Sequence, residues 1–105
     1  MNQDVEILMD FNDPDLTSPF YVTIDYYEED PKENEDVTTM AEAIVYKYND
    51  AEKAFEDWGT ILPSKEDIER VRQSYGVIDI FVEISMYDSH NCTIATANFK
   101  WEDNE

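Results

Sequence analysis

Eleven residues, "VIDIFVEISMY" (77–87), constrain this chain more than any other stretch. Ile78, Ile80, Val82, Ile84 and Met86 fall at every second position, with Asp79, Phe81, Glu83, Ser85 and Tyr87 between them. Successive side chains on a strand point to opposite faces, so this alternation predicts a strand with one continuous buried side. Such a strand needs neighbours to pair its backbone and a second layer to cover its apolar face.

Other segments supply both. "DVEILMDF" (4–11) alternates, with Val5, Ile7, Met9 and Phe11 facing one way and Asp4, Glu6, Leu8 and Asp10 the other. "FYVTIDYY" (20–27) does the same, with Phe20, Val22, Ile24 and Tyr26 against Tyr21, Thr23, Asp25 and Tyr27. "CTIATANFKW" (92–101) completes a hairpin through "DSHN". Between these strands, Met40, Ile44, Tyr48, Ala51, Phe55 and Trp58 recur at three- and four-residue spacing. That stripe predicts a helix over 38–58, capped at Thr38 or Thr39 and closed by Gly59. "PSKEDIERVRQSYG" predicts a second helix, with Ser64 as its cap, Ile68, Val71 and Tyr75 facing inward, and Gly76 at its end. The order strand, strand, helix, helix, strand, strand gives an α+β class. It implies an antiparallel sheet of about four strands with two helices packed on one face, in a single domain over 1–105. Residues 28–36 read as a loop and 102–105 as a frayed tail.

Charge is the second constraint. The chain has 26 Asp and Glu against 7 Lys and Arg, a formal net charge of -19. Well-behaved small domains sit at magnitudes of roughly 2–8. In "YYEEDPKENED" (26–36), Glu28, Glu29, Asp30, Glu33, Glu35 and Asp36 are opposed only by Lys32. A hydrophobic share of 42% and an aromatic share of 13% are too high for a disordered acidic tail. The reading is therefore a folded domain with a very acidic surface. Such a surface repels nucleic acid and anionic lipid and attracts basic proteins. Duplex DNA carries one charge per ~1.7 Å of axis, so nineteen charges correspond to roughly 32 Å of duplex, comparable with the diameter of a domain this size.

Catalytic chemistry finds little footing. His90 and Cys92 lie two apart in a predicted turn, a spacing that points them in different directions. A calcium loop starting at Asp30 would need glycine at its sixth position and glutamate at its twelfth, where the chain has Glu35 and Ala41. One His and one Cys are too few for zinc, and no glycine-rich phosphate loop exists. With this many acids some carboxylate pair always lies at a glycosidase distance, so that signal has no specificity. The expectation is no enzyme, no cofactor and no resident metal. A single cysteine excludes a disulfide framework and suits a reducing, cytoplasmic compartment. The N-terminus lacks the basic and apolar regions of a signal peptide, and no run approaches the length of a membrane span.

What remains is a distributed interface. Acids recur on predicted strand faces at Asp4 and Glu6, at Asp25, and at Asp79 and Glu83, with the acidic loop alongside. Residues two apart on a strand lie ~7 Å apart on the same face, close to the phosphate spacing of a nucleic-acid strand. Tyr27 and Tyr87, with Tyr21 and Phe81, fall on the same sides as these acids, and Tyr is a common interface anchor. In composition and size the chain resembles the small acidic nucleic-acid mimics of phages and mobile elements, anti-CRISPR and anti-restriction proteins among them. The resemblance implies a non-catalytic inhibitor, monomeric or homodimeric. Its partner would be a basic nucleic-acid-binding protein such as a CRISPR effector, a restriction enzyme or a repair enzyme. Two other readings share the composition: an immunity protein against a basic nuclease toxin, and an acidic interaction domain of a larger complex.

Overall fold

The computed structural model describes residues 3–10, 13–29 and 44–101. In chain order they form β1 (Gln3–Ile7), β2 (Phe20–Tyr27), β3 (Ile44–Tyr48), α1 (Ala51–Thr60), α2 (Lys65–Tyr75), β4 (Phe81–Tyr87) and β5 (Thr93–Lys100). The five strands make one sheet in the order β1-β5-β4-β2-β3, and every neighbouring pair is antiparallel. The class is α+β. Among the described residues no helix is long and apolar enough to cross a membrane.

Alternation decides which face the helices cover. Phe20, Val22, Ile24 and Tyr26 of β2 are buried, as are Val82, Ile84 and Met86 of β4 and Ala95, Ala97 and Phe99 of β5. The register aligns them: Ile24 pairs with Ile84, and Ile84 with Ala97. Onto this face α1 sets Ala54 and Trp58, and α2 sets Ile68 and Val71. The Trp58 indole Nε1 donates to the Ile84 carbonyl at 2.8 Å. This bond pins α1 to the central strand, and burying an indole without a partner would be costly.

Local chemistry fixes the helix ends. The Asp50 side chain accepts from the Glu52 amide at the start of α1, and the Ser64 hydroxyl accepts from the Asp67 amide at the start of α2. Gly76 ends α2 at φ 65, the left-handed conformation that glycine reaches without a Cβ clash.

The structure corrects several expectations. The sheet has five strands, because residues 44–48 form β3 where a continuous helix was expected. "IVYKY" is rich in strand-forming residues, and helix starts only after the Asp50 cap. The proposed caps Thr38 and Thr39, and Met40, lie outside the described residues. Gly59 sits inside α1, which ends at Thr60 with an extended Ile61. β4 begins at Phe81 because its partners stop there: Phe81 is the last residue to pair with both Tyr27 and Lys100. Ile78, expected in the core, is 82% exposed. Tyr75 is also exposed, as are Val5 and Ile7. The last two lie on the helix side of the sheet, but α1 packs on β2, β3 and β4 and stops short of the β1 edge.

Candidate protein-binding face

Among the described residues the other face of the sheet carries no helix. Each cross-strand pair puts both side chains on the same side, so the register lists its occupants row by row. Tyr27 pairs with Phe81, and Phe81 with Lys100. In the next row Asp25 pairs with Glu83 and Glu83 with Asn98, and Asn98 pairs with Asp4 of β1. The row after that runs Val45, Thr23, Ser85, Thr96 and Glu6. The last joins Lys47, Tyr21 and Tyr87. Alternation in three separate strands thus brings Glu6, Asp25, Tyr27, Glu83 and Tyr87 onto one surface, with Asp4 in register beside Asn98.

The remaining acids of the expected set fall elsewhere. Asp79 precedes β4 and pairs with the Lys100 ammonium at 3.5 Å, an exposed ion pair. Glu28 and Glu29 are exposed just past the end of β2. Asp30, Glu33, Glu35 and Asp36 lie outside the described residues.

The two layers carry the same net charge. On the helices Glu52, Glu56, Asp57, Glu66, Asp67 and Glu69 are set against Lys53, Lys65, Arg70 and Arg72, and in the strands Asp4, Glu6, Asp25 and Glu83 are set against Lys47 and Lys100. Each layer therefore accounts for two of the nineteen net negative charges, and the rest belong to residues between and outside these elements. Three of the four helix bases are engaged locally: Lys53 with Asp57 at 3.6 Å, Arg70 with Asp67 at 2.8 Å, and Arg72 with Glu69 at 2.8 Å.

Electrostatics on the helix-free face reflect partial burial among like charges. Loss of solvent pushes the Asp25 carboxyl above its ordinary value of 3.8, with the Thr23 hydroxyl pulling the other way. The Tyr27 phenol rises from 10.0 to about 12, first through burial and then through Glu83 and Asp25. Ser85 Oγ and Asn98 Oδ1 on this face are buried and meet no hydrogen-bond partner among the described residues. Sequence reading passed over both residues, because a polar residue between polar neighbours adds nothing to an alternation pattern.

A shallow hollow of about 410 Å³ opens on this face between Tyr21, Thr23, Val45, Tyr87 and Asn91. A narrower groove of about 330 Å³ lies on the opposite side, between Val5 and the Trp58–Leu62 segment. Beside the hollow, the β4–β5 turn is organised by Asp88, which is 1% exposed. Its Oδ1 accepts from the amides of His90 at 3.0 Å and Cys92 at 2.8 Å. The side chains of His90 and Cys92 are exposed. Among the described residues no group of three or more His, Cys, Asp or Glu is placed to hold a metal ion.

A scan against protein-family models found no match, and searches of curated proteins and of solved structures found none either.

Proposed function

We propose that this protein is a non-catalytic acidic inhibitor. It presents carboxylates in place of phosphates and occupies the basic nucleic-acid groove of a partner such as a CRISPR effector, a restriction enzyme or a repair enzyme in the host cytosol. The supporting observation is the net charge of -19 together with a sheet face that combines Glu6, Asp25 and Glu83 with Tyr21, Tyr27, Phe81 and Tyr87. Carboxylates steer a basic partner from a distance and set the association rate. Buried Tyr anchors then slow dissociation.

The test begins with capture from host lysate at low salt, using the full chain as bait. A kinetic binding series against the captured protein follows, with nucleic acid as competitor. Exposed ionic contacts are each worth ~0.2–1 kcal/mol, so neutralising Glu6, Asp25 and Glu83 together slows association by roughly tenfold. Neutralising Glu52, Glu56 and Glu66 on the helices leaves it unchanged. Binding that ignores salt, excess nucleic acid and the sheet-face variant overturns the reading. Capture of a basic nuclease toxin alone replaces it with the immunity reading.

A further inference from the structure

The sheet ends at β1, and among the described residues no strand pairs with its outer edge. The register fixes which backbone groups face that way. Ile7 lies opposite Ala95, which puts Leu8 opposite Ile94, and the Leu8 amide donates to the Ile94 carbonyl at 2.8 Å. Antiparallel partners alternate between pairs that exchange hydrogen bonds and pairs that do not. Glu6 therefore bonds inward to β5, whereas Val5 and Ile7 turn both N–H and C=O outward. Such an edge is a template for one more strand.

The two sides of that edge differ in character. On the helix side Val5, Ile7 and Leu62 are each more than half exposed. Val5 and Leu62 also line the groove of about 330 Å³, whose floor is Ile84 and Ala97 and whose lining includes no charged residue. On the other side Glu6 is exposed, Asp4 holds the next register position on that face, and β1 contains no base. The far edge of the sheet, β3, carries Lys47, the residue type that most often blunts an edge.

Charge decides the occupant. A second copy pairing through its own β1 sets acid beside acid on one side, and like charges in cross-strand positions are destabilising. It also joins two bodies of charge -19. A strand that alternates basic and apolar residues meets neither obstacle, since its bases face the acids while its apolar residues cover Val5 and Ile7. We propose that the outer edge of β1 accepts such a strand, an extended segment of alternating basic and apolar residues presented by a partner protein. Main-chain hydrogen bonds to Val5 and Ile7 supply affinity, and the two sides of β1 select the alternation. The inference goes beyond the reading of the helix-free face, because it stands on the edge backbone and the groove.

The experiment titrates the isotopically labelled full chain with the peptide acetyl-Lys-Val-Lys-Val-Lys-amide, and amide resonances are followed by NMR. The expected result is that shifts concentrate in β1, with the Val5 and Ile7 amides exchanging hydrogen several-fold more slowly. Proline is tolerated on an edge strand where its missing N–H faces outward, so Val5→Pro should abolish the response while the β2 and β4 resonances stay in place. A fully N-methylated copy of the peptide removes the same bonds without touching the protein, and it should not bind. Asp4→Asn/Glu6→Gln should weaken binding several-fold. An equal response from the block peptide acetyl-Lys-Lys-Lys-Val-Val-amide, or from the N-methylated copy, overturns the proposal. So does a concentration-dependent dimer that shifts Val5 and Ile7 without peptide, which gives the edge to a second copy. Shifts centred on Tyr27 and Tyr87 overturn it in favour of the helix-free face. Asp25→Asn/Glu83→Gln should leave the β1 response intact, so the two surfaces fail separately.

Discussion

Asp88 shows how much one side chain can hold in a chain rich in its own kind. Its carboxylate is buried, yet it accepts two backbone amides of the turn it begins, which replaces the water it has lost. Asn91 completes that turn at φ 63, a left-handed conformation in which Asn is among the better-tolerated residues. Asp88→Ala leaves two amides without acceptors and is expected to cost about 1–3 kcal/mol. Urea unfolding should show this as a lower midpoint at unchanged slope. The tyrosines make a second residue-scale prediction. Burial comes first among the causes that raise Tyr26, Tyr27 and Tyr48 from 10.0 to about 12, and Tyr48 also donates to Asp57 Oδ2 at 2.6 Å. A folded state that keeps its phenols protonated binds more protons than the unfolded chain between these two values. Stability is therefore full below pH 10 and falls as pH rises toward 12. Absorbance titration should show a delayed phenolate fraction in the folded protein that moves to the ordinary value in denaturant.

Elements were legible where one period ruled. The strands β2, β4 and β5 announce themselves by alternation, and α2 by its Ser64 cap, Gly76 stop and inward Ile68 and Val71. β3 was hidden because Ile44 and Tyr48 fit a four-residue helical step as well as a two-residue strand step. Its pairing with β2 settles the ambiguity, and five residues of sequence cannot supply that information. The start of β4 was hidden for a related reason: where a strand begins depends on how far its partners reach, so Ile78 and Asp79 were placed one turn of the pattern too far in. The site was half legible. Alternation within each strand assigned Glu6, Asp25, Tyr27, Glu83 and Tyr87 to their sides, whereas the cross-strand rows that join them, and the place of Asn98 in one of those rows, required the register. At this scale the test is the seam between α1 and the sheet. Trp58→Phe keeps most of the apolar contact but leaves the Ile84 carbonyl without its indole donor, at a cost of about 1–3 kcal/mol. The melting temperature should drop by about 4–8 °C for each kcal/mol lost, with the fold retained by circular dichroism.

At the scale of the whole molecule the net charge of -19 acts as a load on folding. Compaction brings like charges together, and mobile ions screen them over ~10 Å at 0.1 M. Adding sodium chloride from low to physiological strength should therefore raise the melting temperature, and a flat or falling curve in calorimetry would mean that the charges are already neutralised in pairs. The ion pairs on the helices have another consequence, concerned with the shape of that curve more than its sign. Lys53–Asp57, Arg70–Asp67 and Arg72–Glu69 are attractive surface pairs, and the salt that relieves repulsion elsewhere also loosens them. The gain on adding salt should therefore level off, leaving a plateau set by the two opposing screenings.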